Sequence, residues 1–355
     1  MKKTIIYLFA CISAGFVATM GLSGCTDMKG DGVDSVLWNG SANQQAKSFI
    51  NPVWEPSLEA GTVFKGSSGF VAISSTTQWS KGIDLYCPQI TSADLMNWSA
   101  VNNAFNTDAV PSWAPGRIVS LTVDFCKTLL GEKYWMFYNI EGTEGIGVAT
   151  SLSVAQGPYT DLQTNGNKLQ LKTTGAPRNP FFFAVSANFY LCYTTDQGTY
   201  IQKLTLKKAT MPICSGDPTL IAGPGFEDVA ILRVAADNIY IFGTVNGEIR
   251  YARTDNLTGN YAGKDGVALT AGGKGDALIT TNSNYNKVEN PMRAFLNSAN
   301  THIYLAYNAT QSDKEVMTSG YARRPMFVQP MELDENGWIK GTYTPEKKWT
   351  SPKYE

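Results

Sequence analysis

The sequence predicts an all-β protein, a single five-bladed β-propeller, and three observations predict it. Long helical periodicity is absent over the 355 residues, whereas short alternating runs rich in Tyr, Phe, Val and Ile recur along the chain. Aromatic residues reach 12% and glycines number 33, a composition that suits many short strands joined by tight turns. One unit recurs five times: a proline after a polar, acidic or small residue, then a strand, a turn, an aromatic strand and a further strand.

Before the first unit the chain follows another logic. Lys2 and Lys3 precede an apolar run from Ile5 to Met20 that is short for a bilayer span, the pattern of an export signal over 1–24. The signal ends in Leu22-Ser23-Gly24-Cys25, which resembles the bacterial lipobox, so Cys25 is expected to become a lipidated N-terminus. A polar, glycine-containing tether follows over 25–45, leaving 46–355 for the propeller. The protein is therefore expected in the bacterial cell envelope, lipid-anchored, on the periplasmic face or outer surface of an outer membrane.

The five units run in order. The first is Glu55-Pro56, Phe70-Val71-Ala72-Ile73 and Gly82-Ile83-Asp84-Leu85-Tyr86. The second is Ala114-Pro115, Tyr134-Trp135-Met136-Phe137-Tyr138 and Gly145-Ile146-Gly147-Val148-Ala149. The third is Asn179-Pro180, Phe189-Tyr190-Leu191-Cys192-Tyr193 and Tyr200-Ile201-Gln202-Lys203-Leu204. In the fourth, Glu227-Asp228 takes the proline position before Ile239-Tyr240-Ile241-Phe242 and Glu248-Ile249-Arg250-Tyr251-Ala252. The fifth is Asn290-Pro291, His302-Ile303-Tyr304-Leu305-Ala306-Tyr307 and Gly320-Tyr321-Ala322-Arg323. Pro56 and Pro291 bound four intervals with a mean period of about 59 residues, enough for a four-stranded blade. A single blade cannot bury both faces of its sheet, so five stack radially; a β-sandwich fits the strands but not their recurrence.

Composition narrows the function classes. Lys and Arg number 29 against 30 Asp and Glu, with no basic block, so nucleic acid is not an expected partner and a monomer is. Cys87, Cys126, Cys192 and Cys214 lie in the mature region without metal-type spacing; an exported chain could pair them, but buried thiols are the expectation. His302, the one histidine, lies inside a strand and is expected to be structural.

Several motifs then resemble glycoside hydrolase family 43. Asn51-Pro52-Val53-Trp54-Glu55-Pro56-Ser57 looks like that family's opening blade, and Ser92-Ala93-Asp94-Leu95-Met96-Asn97-Trp98 is similar to its close. Trp113-Ala114-Pro115, Gly157-Pro158-Tyr159 and Leu333-Asp334-Glu335-Asn336-Gly337-Trp338 resemble later motifs of the family in the expected order. The resemblance implies an inverting glycosidase, whose general base and general acid are carboxyls about 6.5–9.5 Å apart with a water between one of them and the sugar.

Carried over residue by residue, it puts Glu55 where the family has its aspartate base and Glu227 where it has its acid. Gly116 stands where a third carboxylate belongs, and Asp108 and Asp228 are spare carboxylates nearby. Asn179 and Asn290 replace ionisable groups. Trp54, Trp79, Trp113 and Phe226 are expected as sugar-stacking walls, with Arg117, Asn179, Asn290 and Arg293 as further substrate-binding residues. No cofactor is implied; a structural calcium in the propeller channel is the one metal the resemblance allows, and it would lack a His ligand. The expected activity is hydrolysis of arabinose- or xylose-containing plant polysaccharide, the alternative being a non-catalytic propeller that binds glycan through a degenerate site.

Overall fold

The computed structural model describes residues 48–346, except 67, 81–82, 106–110, 112–115, 129–130, 153–154, 163–174 and 207–210, together with 350–352 and 354. Cys25, Trp113 and Asp108 lie outside the described residues. The first strand of the described residues is β1 (Ser48–Ile50), and antiparallel sheets follow. The first holds β2 (Thr62–Gly66), β3 (Gly69–Ile73), β6 (Pro88–Ser92) and β7 (Trp98–Asn103), with a side hairpin β4 (Thr77–Ser80) and β5 (Ile83–Leu85). The second holds β8 (Ile118–Thr128), β9 (Gly131–Ile140), β10 (Gly147–Leu152) and β11 (Thr160–Asp161). The third holds β12 (Arg178–Val185), β13 (Asn188–Thr195), β14 (Gly198–Thr205) and β15 (Ile213–Ala222). The fourth holds β16 (Glu227–Ala235), β17 (Asn238–Val245), β18 (Glu248–Thr254) and β19 (Asp276–Ile279). The fifth has β20 (Tyr285–Leu296), β21 (His302–Gln311) and β22 (Met326–Glu332), and β23 (Thr350–Pro352) pairs with β1.

The inner strands β2, β8, β12, β16 and β20 touch in that cyclic order, β20 returning to β2, which closes a five-bladed ring. Central strands are apolar on both faces because each blade is covered twice; Ile239 to Phe242 of β17 are all buried. Tight turns keep the strands paired. At the tip between β17 and β18, Asn246 (φ 52°) and Gly247 (φ 79°) supply the two left-handed residues of a two-residue hairpin. The buried clusters occupy the seams between blades, so packing across each seam holds the ring together. Gly243 illustrates how tight a seam is: an added Cβ would lie 2.2 Å from the buried Phe226 ring. Gly243→Ala is therefore expected to cost about 1–3 kcal/mol through overpacking, read as a lower midpoint in urea.

Ring closure explains one departure from the sequence reading. Among the described residues the fifth blade has three strands, and the segment from Asn51 to Leu58 lies along β22 as a further edge. Val53 N–H donates to Met326 O (2.9 Å), Met326 N–H to Trp54 O (3.0 Å) and Leu58 N–H to Arg324 O (3.0 Å). Asn51 clasps Val328 twice, its amide donating to Val328 O (2.8 Å) while its carbonyl accepts from Val328 N–H (3.0 Å). Glu55-Pro56 thus belongs to the outer edge of blade five and is not the opening of blade one. That opening lies four residues on, at Glu59-Ala60-Gly61.

Candidate active site

The blade openings share a backbone signature. Ala60 (φ 45°) lies just ahead of β2, Asn179 (φ 51°) and Asp228 (φ 49°) at the start of β12 and β16, and Asn290 (φ 54°) at a register shift inside β20; each takes the left-handed conformation. Asn and Asp tolerate it because their side chains bond locally; an alanine held there is strained. All four residues meet in one pocket at the end of the propeller axis, of about 90 Å³. Glu59 and Glu289 join them in its wall, with Ser120, Leu121 and Thr122 from the second blade and Phe181 and Met292 lower down.

Three carboxyls therefore face this space, from blades one, four and five. Asp228 is the most perturbed: burial, then the negative charges of Glu289 and Glu227, push its carboxyl up to about 6, against a hydrogen bond from Thr244. The Asn179 amide donates to its Oδ1 (2.5 Å). Glu59 is also raised, chiefly by burial and by Glu289, while the Arg324 guanidinium lowers it. Arg324 donates to Glu289 (2.7 Å), lies 3.9 Å from Glu59, and shares Glu289 with Lys287. Glu289 perturbs both other carboxyls and sits on the blade between theirs, so it occupies the middle of the acidic arc. Its neighbour Asn290 donates to the buried Asn308 (2.8 Å), whose own amide donates to Leu58 O (3.1 Å) and Arg324 O (3.0 Å). The pocket wall is thus tied directly to the closing segment.

The predicted site residues divide accordingly. Asn179, Asn290 and the spare carboxylate Asp228 line the pocket. Glu227, placed next to Asp228, instead accepts a hydrogen bond from Arg178 (2.7 Å), both side chains being more than a third exposed. Glu55 is not in the pocket: its Oε1 meets the Arg323 guanidinium at 3.0 Å, with both side chains almost wholly buried. Trp54 and Trp79 pack against each other, centroids 5.6 Å apart, in the buried seam between the closing segment and blade one. Phe226 is buried against blade-four core, and its backbone oxygen accepts from Thr199 (2.7 Å). None of these three rings is exposed as a wall for sugar stacking.

Arg117 makes a two-pronged pair with the exposed Glu141 (3.0 and 3.1 Å) and lies over Tyr321. Gly116 abuts the backbone of Glu141, with no room for a larger side chain. Arg293 turns below the pocket onto protein groups, donating to Asp124 (3.1 Å), Val123 O (3.0 Å) and Phe182 O (3.2 Å). His302 is a partly buried strand residue, 3.8 Å from Glu332. Glu59 and Glu289 were not singled out from the sequence; their signal is the charged residue immediately before each left-handed position, a pattern shared by Glu59, Arg178, Glu227 and Glu289.

Comparison with known proteins adds to this geometry. The family model described as glycosyl hydrolases family 43 matches residues 49–339. Among solved structures, an α-L-arabinanase from Cellvibrio cellulosa complexed with arabinohexaose superposes with a TM-score of 0.63 at 16% identity, covering 80% of this chain and 95% of that one. The arabinanase of Bacillus subtilis gives 0.59 at 20% identity over 81% and 98%. A xylan β-1,4-xylosidase from Bacillus halodurans gives 0.62 at 14% identity over 85% and 59%. No curated protein matches the sequence. At these identities the neighbours show the five-bladed fold, while the family match spans nearly every described residue: the chain belongs to glycosyl hydrolases family 43.

Proposed function

We propose that this chain is an inverting glycoside hydrolase acting on arabinose- or xylose-containing polysaccharide, with Asp228 as general acid and Glu59 as general base. The observation that carries the reading is the Asp228 carboxyl, pushed up to about 6 inside the axial pocket, which keeps a proton available where a glycosidic oxygen would lie. In this scheme Asp228 gives that proton to the leaving oxygen, and Glu59 takes one from a water attacking the opposite face of the anomeric carbon. After burial, Glu289 is the negative neighbour that helps raise the Asp228 carboxyl, the part expected at the position of Gly116. A pocket of about 90 Å³ is far smaller than the roughly 300–1,000 Å³ of drug-sized sites, and suits one sugar ring. The arabinanase and xylosidase neighbours support the pentose class.

One observation favours the second reading, a non-catalytic glycan-binding propeller: Glu227, matched to the family's acid, is held in an ion pair by Arg178. Assay of wild type, Glu59→Gln and Glu227→Gln on nitrophenyl α-L-arabinofuranoside and β-D-xyloside separates the two. The enzyme reading expects turnover by wild type, a loss of about 100-fold or more in Glu59→Gln, and less than about tenfold in Glu227→Gln. Glycan binding without turnover of any aryl glycoside or arabino-oligosaccharide by wild type overturns it. We also infer that the protein is lipid-anchored through Cys25 in the bacterial envelope; the Leu22–Cys25 lipobox supports this, and the mass of the mature N-terminal peptide tests it.

A further inference from the structure

We propose that Arg293 is a built-in axial cation, a guanidinium held where the inner strands assemble oxygen donors of the kind a hard metal ion takes. Arg293 lies on β20 of blade five, whose ring neighbours are blades four and one, yet its partners belong to blades two and three. Its side chain therefore crosses the axis. There it meets an Asp124 carboxylate oxygen at 3.1 Å, Val123 O at 3.0 Å and Phe182 O at 3.2 Å. A carboxylate and two backbone carbonyls are calcium-type oxygen ligands, and all three are drawn onto one positive centre.

The guanidinium is permanently charged, its side chain is only 11% exposed, and it lies 4.8 Å from the centre of the Phe181 ring. A structural calcium on the axis does not fit these residues. It would need the oxygens that Arg293 occupies, and it would face a fixed positive charge at close range in a poorly solvated channel. Among the described residues no cluster of three or more His, Cys, Asp or Glu side chains offers a metal an alternative.

The arrangement has a consequence for the pocket above. Phe181 and Met292 line that pocket, and Arg293 follows Met292 in sequence and packs beneath Phe181. The cation that ties blades two, three and five together also plugs the channel, so the pocket has a floor. The fold's central charge is thus carried by the chain itself and is independent of metal supply.

Thermal unfolding of the full chain tests this. The wild-type melting temperature is expected to be the same in EDTA and in millimolar calcium or sodium chloride at fixed ionic strength. Arg293→Met, similar in bulk but neutral, is expected to melt more than about 5 °C lower, and Arg293→Lys to fall between the two. Arg293→Ala, which frees the three oxygens, is expected to gain melting temperature from calcium where wild type does not. A wild type that EDTA destabilises overturns the proposal. So does an Arg293→Met protein that melts with wild type, or with Arg293→Lys. If Arg293→Ala does not fold, the Lys and Met pair together with the wild-type EDTA comparison decides the matter.

Discussion

Asp228→Asn is expected to lower turnover of an arabino- or xylo-oligosaccharide by about 10²- to 10⁴-fold, the usual worth of a positioned general acid. Substrate binding should change little, because asparagine keeps the size, the left-handed backbone and an acceptor for the Asn179 amide. The loss should be smaller for a nitrophenyl leaving group than for a natural glycan, since a good leaving group needs less protonation. The pH profile carries the same signature. Asp228 works in its protonated form, and with its carboxyl at about 6 the wild-type kcat/KM should fall as pH rises through that value. Stability follows the same direction as activity. The folded carboxyl lies above its unfolded value of 3.8, so the folded state binds the proton more tightly and loses stability as pH rises from about 4 to about 6. The corresponding ceiling is roughly 3 kcal/mol, which screening at this partly exposed side chain cuts to about 1–2 kcal/mol. At pH 7 Asp228→Asn should therefore melt a few degrees higher than wild type while losing turnover. A variant that retains activity with an unchanged alkaline limb would remove Asp228 from the chemistry.

The fold was largely legible because its signals are local and repeated. Alternating aromatic strands, turn glycines and a recurrent opening specify a blade, and five copies specify the ring. The site was less legible for a physical reason that Glu55 and Glu59 make plain. A proline after an acidic residue marks an extended edge as readily as a blade opening, and nothing within Asn51–Ser57 says whether the segment begins blade one or finishes blade five. That choice is made by β22, some 270 residues away, which has an unpaired edge to fill. The resulting shift of four residues moves the assignment from a buried structural carboxylate to one in the pocket wall. Glu227 and Asp228 present the same difficulty on a smaller scale. Both are acidic and adjacent, and nothing in the local sequence says that Asp228 lines the pocket while Glu227 meets Arg178. Trp54 and Trp79 are not the expected sugar walls because an aromatic beside a blade opening is equally suited to sealing a seam, which is where both lie.

Glu55 offers the sharpest separation of structural from catalytic roles. Its carboxylate and the Arg323 guanidinium are 3.0 Å apart, with side-chain exposures of 2% and 1%, and Arg323 also donates to Gln311 at 3.2 Å. Glu55 belongs to the segment that completes blade five, whereas Gln311 ends β21 and Arg323 lies between β21 and β22, so the pair fastens ring closure. A buried pair of this kind adds little net stability over a well-packed apolar pair, but removing one member strands the other charge at a cost of about 3–5 kcal/mol. Glu55→Gln keeps the volume and a weaker hydrogen bond yet leaves the guanidinium uncompensated, so a loss toward the lower end, about 3 kcal/mol, is expected, lowering the melting temperature by roughly 6–12 °C. Arg323→Met should cost a similar amount by stranding the carboxylate. The double variant should recover much of the sum, a coupling that urea unfolding can read directly. Because Glu59 and not Glu55 lines the pocket, turnover per folded molecule of Glu55→Gln should stay within a few-fold of wild type below its melting range. If instead Glu55→Gln folds with wild-type stability and loses turnover a hundredfold, the closing segment carries the base and the assignment to Glu59 is wrong.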